Sequence, residues 1–207
     1  DYGAFAHVIV AQENFDIMRW RRPYFMQGGG QKVRLKTTAG GRFNNYELDF
    51  EEPWLMGQKL RFTTSLYNRE MEYYHSKFDV EETGLRLGLE RAMFDNELFR
   101  GRVNYTIEDT GLVDMKDTAS TELLSERGNN LISMIGTGLT YDTRGGGIIP
   151  TKGQRSSVDV DFAPSSLGSE KDFYGVNLKS AWYFKGLGEG HAFEFRSQAA
   201  VVESTES

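Results

Sequence analysis

The feature that most constrains this chain is a two-residue alternation that recurs from segment to segment, with turn residues between. It is plainest on either side of the stretch 142–155. Ile135, Thr137, Leu139 and Tyr141 alternate with Gly136, Gly138, Thr140 and Asp142 before it. Gln154, Ser156, Val158, Val160 and Phe162 alternate with Arg155, Ser157, Asp159 and Asp161 after it. A period of two puts the first set on one face of a β-strand and the second on the other. The glycines and Pro150 between them stop both strands and form the turn. Repeated along the chain, the pattern predicts an all-β antiparallel fold of about ten strands.

Two neighbouring segments fix their own register. Val33, Leu35 and Thr37 alternate with Lys32, Arg34 and Lys36; Tyr46, Leu48 and Phe50 alternate with Glu47, Asp49 and Glu51. Folded about Gly41 and Arg42, Leu35 meets Leu48 and Val33 meets Phe50, while Lys36, Arg34 and Lys32 meet Glu47, Asp49 and Glu51. Such cross-strand pairs contribute about 0.2–1 kcal/mol each, and a one-residue slip would set charge against apolar side chains.

The other strands are read the same way. The first is Ala4–Gln12, and the fourth runs from Lys59 to about Asn68. Leu85, Leu87 and Leu89 define the fifth, with Arg86 on its other face. Phe99, Val103, Tyr105 and Ile107 define the sixth, against Arg100 and Arg102. Val176 and Leu178 lie in the ninth, opposite Lys179, and Phe193 and Phe195 in the tenth, opposite Glu194 and Arg196. A polar, acidic loop is expected over about Thr110 to Asn130. Connections after strands four, six and eight are expected to be the longer ones, and those after three, five, seven and nine mostly tighter.

Composition admits a membrane barrel. With 23 Gly, 4 Pro and 13% aromatic residues in 207, the chain suits a turn-rich β-protein. It has no apolar run of about 18 residues, but a barrel dilutes its apolar residues to every second position, so hydropathy averages do not exclude one. In a barrel the apolar face meets lipid: Leu35, Leu48, Phe50, Leu85, Leu87, Val158, Val176, Leu178, Phe193 and Phe195. The charged face lines the lumen: Lys32, Arg34, Lys36, Glu47, Asp49, Arg86, Arg100, Arg102, Asp159, Lys179, Glu194 and Arg196. Tyr174 at one end of the ninth strand, with Trp182 and Phe184 at the other, fits two interfacial aromatic girdles. Gly84, Gly88, Gly136, Gly138 and Gly175 fall on the lumen face, where wall curvature or a plug would need the space.

Other classes find little support. The net charge is −6 and the longest basic run is short, Arg19-Trp20-Arg21-Arg22, so no nucleic-acid partner is expected. Cysteine is absent, which excludes disulfides and thiolate chemistry. His7, His75 and His191 show no metal or catalytic spacing, and no Gly-x-Ser-x-Gly elbow occurs. Gly28-Gly29-Gly30 and the glycines at 186, 188 and 190 do not lie between a strand and a helix, so they are turns, not phosphate loops. Asp159 with Asp161, and Glu47 with Asp49 and Glu51, are lumen charges facing basic neighbours. No catalytic residue, metal or cofactor is expected. No signal peptide opens the sequence, so an exported protein would be present here as a mature chain or a fragment.

Three turn elements carry a family resemblance. Asp142-Thr143-Arg144, followed by Pro150-Thr151-Lys152-Gly153, resembles the strand-turn-strand signature of the bacterial surface antigen barrels, the Omp85 superfamily. Glu52-Pro53-Trp54, continuing to Gly57, is similar to another of its turns. Asp172-Phe173-Tyr174 leading to Trp182-Tyr183-Phe184 is similar to the strand pair after the signature. The resemblance spans the chain in order. It implies that residues 1–207 are part of a sixteen-strand transmembrane barrel, with the first strand, the last strands, the lid loop and the periplasmic POTRA repeats outside the sequence. Phe99-Arg100-Gly101 is a poor match to the lid-loop motif. The turns at 52–57 and 142–155 would be periplasmic and the loop 110–130 extracellular. The implied function is folding and inserting barrel proteins in a Gram-negative outer membrane, with unfolded outer-membrane proteins as substrates. Lipid, lipopolysaccharide and accessory lipoproteins would be partners. The alternatives are a branch that translocates polypeptides, such as a two-partner secretion transporter, or a simple pore.

Overall fold

The structure is a computed structural model, and it describes residues 4–19, 21, 27–41, 43–72, 79–94, 96–113, 128–145, 150–188 and 191–205. Ten strands follow one another: β1 (Phe5–Phe15), β2 (Gln31–Gly40), β3 (Phe43–Glu52), β4 (Leu60–Glu72), β5 (Asp79–Met93), β6 (Asn96–Val113), β7 (Gly128–Asp142), β8 (Gly153–Ala163), β9 (Phe173–Lys185) and β10 (Ala192–Ser204). They form one antiparallel sheet in sequence order, each strand paired with the next, with β1 and β10 at its edges. Among the described residues no helix is long and apolar enough to cross a membrane.

The β2–β3 register is the one the sequence predicts. Lys32, Val33, Arg34, Leu35 and Lys36 face Glu51, Phe50, Asp49, Leu48 and Glu47. Two of the three expected ion pairs form across it, Lys32–Glu51 at 3.1 Å and Lys36–Glu47 at 3.0 Å. Asp49 differs: it lies opposite Arg34 but bonds Lys36 at 2.9 Å and accepts the Ser65 hydroxyl at 2.7 Å. A lysine one diagonal away and a hydroxyl from the next strand thus satisfy this carboxylate.

Several strands run further than the alternation that marks them in the sequence. β4 continues to Glu72, β5 begins at Asp79, β6 ends at Val113 and β7 begins at Gly128. Of the loop expected over 110–130, residues 110–113 and 128–130 are strand, and 114–127 lie outside the described residues. Backbone pairing continues here through Glu81, Glu82, Asp109 and Thr110, because the ladder needs no apolar side chain. The expected sorting of loops by length also fails. The two widest separations in sequence between successive strands, β1 to β2 and β6 to β7, fall at opposite ends of the sheet. Tyr73, Tyr74, His75, Trp20, Tyr24 and Phe25 fall outside the described residues.

Among the described residues the sheet has no second layer. Among the described residues only Tyr67 and Ala163 are buried apolar side chains, whereas Leu35, Leu48, Val158, Leu178, Phe193 and Phe195 are all more than two-fifths exposed. A soluble sandwich covers one face of each sheet with another. Here a whole apolar face is uncovered, far larger than the patches water-soluble monomers expose.

Candidate functional site

The pairing places every side chain on one of two faces. Across β2 to β5, Leu35, Leu48, Leu66 and Leu85 lie in a row, continued by Ile107 on β6. Across β7 to β10, Leu139, Val158, Leu178 and Ala199 do the same. Phe50, Leu87, Val176, Phe193 and Phe195 share this apolar face. All ten residues predicted to face lipid are on it. Polar residues bound it at both ends: Glu70 faces Glu81 across β4 and β5 at one end, and Arg91 lies opposite Leu60 at the other. Tyr174 stands near the first end, its hydroxyl bonded to Glu203. Trp182 and Phe184 stand at the second, beside Phe195 and Phe193.

The opposite face carries all twelve residues predicted to line the lumen, and its charges bridge strands. Arg61 bonds Glu90 at 3.1 Å, and Arg100 approaches the same carboxylate at 3.7 Å. Arg102 on β6 reaches Asp159 on β8 at 2.5 Å, passing over Gly138 on β7. Asn104 and Asp161 flank Gly136 so closely that a Cβ there would lie 2.5 Å from each. Tyr67 lies over Gly84, where a Cβ would meet its ring at 2.6 Å, and donates to Glu108 at 2.5 Å. Arg69 stands over the Tyr67 ring, 4.5 Å from its centroid. The space at these glycines is thus filled by neighbouring side chains, not left for curvature or a plug. Thr63 covers Gly88, and Val202 contacts the Gly175 position. Sequence alone does not show this cover, because it depends on the register of neighbouring strands, one at Gly84, Gly88 and Gly175 and two at Gly136 and Gly138.

The signature turn is held by its own named residues. Asp142 takes Arg144 in a two-pronged bond, Nε at 2.9 Å and Nη2 at 2.7 Å, and also accepts the Arg144 backbone N–H at 3.1 Å. This carboxylate raises the Arg144 pKa above the usual arginine value, so the pair stays charged. The Arg144 guanidinium extends over the Tyr183 ring, 5.8 Å from its centroid. Thr143 N–H donates to the Gln154 carbonyl at 2.8 Å, and Gln154 N–H donates to Thr143 Oγ1 at 3.0 Å. Gly153 has φ +97°, and a Cβ would meet the Thr143 carbonyl oxygen at 2.5 Å. Of the remaining predicted turn residues, Pro150 and Thr151 lie on the approach to Gly153.

The 52–57 turn is built around Glu52. One of its carboxylate oxygens accepts the Trp54 N–H at 2.9 Å; the other accepts Gln31 Nε2 at 2.7 Å. Gln31 in turn accepts the Ile17 N–H at 2.8 Å. Glu52 therefore ties this turn to the start of the 16–30 connection at the same end of the sheet. Pro53 follows it in the turn, and Trp54 is more than half exposed. Gln31 was not singled out by the sequence; only its place one residue before a charged strand hinted at it.

The hollows lie on the charged face, which makes that face concave. One, of about 580 Å³, is lined by Arg102, Arg144, Arg155, Lys179, Tyr183 and Arg196 among others. A second, of about 620 Å³, adjoins it at the turn and includes Arg61, Arg100 and Asp142.

Comparison with known proteins gives a family and a fold. The model of the Omp85 superfamily domain matches residues 26–205. Among solved structures, BamA from Haemophilus ducreyi, crystallised lacking POTRA domains 1–3, superimposes with a TM-score of 0.68 at 16% sequence identity. The match covers 98% of this chain and 40% of that one. At that identity the likeness is one of fold: ten strands of a partial barrel wall. A search of curated proteins found no match.

Proposed function

The chain belongs to the Omp85 superfamily, and from that membership we propose that it forms part of an outer-membrane barrel that folds and inserts other β-barrel proteins. The observation that carries the reading is the division of the wall. A continuous apolar face suits lipid, and the opposite concave face holds a cross-strand network of charges suited to a wet lumen. Gram-negative outer membrane is the compartment that such a wall and such a family suggest. Unfolded outer-membrane proteins would be the substrates, with lipopolysaccharide, lipid and accessory lipoproteins as partners. The activity requires no chemical step, so no catalytic residue or cofactor is assigned.

The test is reconstitution of the full-length protein in liposomes, supplied with a urea-denatured barrel protein. Insertion is read as the substrate's gain of protease resistance and of folded mobility on unheated gels. Faster insertion than into protein-free liposomes supports the reading. Steady ion conductance with no gain in insertion would replace it with the pore. Passage of an unfolded polypeptide into the liposome lumen would replace it with the translocating branch.

A further inference from the structure

We propose that the hollow between the signature turn and strands β8–β10 binds an acidic stretch of polypeptide. The inference rests on the polypeptide-handling role proposed above. Five cations surround the hollow, Arg102, Arg144, Arg155, Lys179 and Arg196. Three carboxylates meet them: Asp159 on Arg102, Asp142 on Arg144 and Glu194 on Arg196. A chain of formal net charge −6 thus presents a local excess of positive charge on its concave face.

Two of the cations have charge to spare. Among the described residues Lys179 forms no ion pair. Arg155 approaches Asp142 only at 4.0 Å, and that carboxylate is already held by both prongs of Arg144. The floor between them is small and polar. Arg155, Ala181 and Arg196 lie in one row across β8, β9 and β10, and Ser157, Lys179 and Gln198 in the next. Adjacent strands are about 4.8 Å apart, so Arg155 and Arg196 are roughly 10 Å apart at the backbone with only a methyl group between them.

Charge selects an anion, and position selects its source. The hollow is on the face opposite the apolar one, so the phosphates of surrounding lipid do not reach it. An extended peptide repeats side chains on one face about every 7 Å, a spacing that lets successive carboxylates address these cations. Arginine also pairs with carboxylates in a two-pronged geometry.

The test uses the full-length protein in detergent and a fluorescent peptide of alternating Glu and Ser, with binding read by anisotropy. Binding is expected to weaken as salt rises. The double variant K179Q/R155Q should lower affinity roughly tenfold or more, the loss of one to two charge-assisted hydrogen bonds. The variant K179R should retain binding. Both altered side chains are exposed, and gel mobility of the unheated protein checks that the variants fold. Unchanged binding by K179Q/R155Q overturns the proposal, as does equal binding of a Lys-Ser peptide. Competition by inorganic phosphate as strong as that by unlabelled acidic peptide overturns it too, by making the hollow a small-anion site. The insertion assay runs on the same preparations. Insertion without peptide binding sinks this inference alone, whereas peptide binding without insertion sinks the assembly role alone.

Discussion

Arg102 Nη2 donates to Asp159 Oδ1 at 2.5 Å, and the bond spans an entire strand because the residue between them is Gly138. The two side chains belong to β6 and β8 and meet only where β7 has no side chain. Arg102 is about half exposed and Asp159 less so, so solvent screening keeps their coupling modest, roughly 0.2–1 kcal/mol. A double-mutant cycle on R102A and D159A, read by urea unfolding in lipid vesicles, should return that value. In a G138V background the coupling should fall to near zero, and G138V itself should cost about 1–3 kcal/mol through crowding. Coupling that survives in G138V would show that the bridge does not need the glycine.

Tyr67 and Gly84 make the same bargain in a more buried place. Tyr67 is 4% exposed, its ring lies over Gly84 and its hydroxyl donates to Glu108. Y67F keeps the ring but leaves Glu108 Oε2 without its donor, Thr110 still donating to Oε1 at 3.0 Å, at an expected cost of about 1–3 kcal/mol. G84V displaces the ring itself and should cost more than Y67F. Equal stability of Y67F and the parent would mean water replaces the hydroxyl at no loss.

The signature turn predicts a sharp difference between two glycines. Gly153 has φ +97° and backbone oxygen 2.5 Å from where a Cβ would sit; Gly41 has open space around it. G153A is therefore expected to lose about 1–3 kcal/mol from backbone strain. G41A should stay within about 0.5 kcal/mol of the parent. Thermal or urea unfolding of the two variants in one lipid system checks the contrast. Similar values would remove strain as the reason for glycine at 153.

The parts that were legible in the sequence are those where both faces of a strand are marked. β2 and β3 alternate charge with apolar residues so completely that one register satisfies both. Asp142, Arg144 and Gly153 were legible as a motif, although only the structure shows that Asp142 holds Arg144 and that Gly153 sits against the Thr143 backbone. Strand ends were not legible in β5 and β6, because alternation fades at Glu81 and Asp109 while backbone pairing continues. Nor was the partner of Asp49, which depends on Ser65 from a strand not adjacent in the predicted pair. Long-range cover over glycine belongs to the same class: it is fixed by one register at Gly84 and by two at Gly138, and no single segment records it.

Leu87 tests the division of the wall directly. It lies between Thr64 and Tyr105 in a cross-strand row, midway along β5, with Leu85 and Leu89 to either side on the apolar face. An arginine there would be placed near the hydrocarbon midplane, where its cost in a barrel is about 2–4 kcal/mol. Thr140 points the other way and lines both hollows on the concave face, so T140R exchanges one hydrated side chain for another and should change stability by no more than about 0.5 kcal/mol. Reversible urea unfolding of L87R and T140R in lipid vesicles measures both. If L87R is as stable as T140R, the apolar face does not meet lipid at that depth, and the assignment of the two faces has to be reversed or abandoned. If L87R alone is destabilised, the concave face carrying Arg102, Asp159 and Lys179 is the one that meets water.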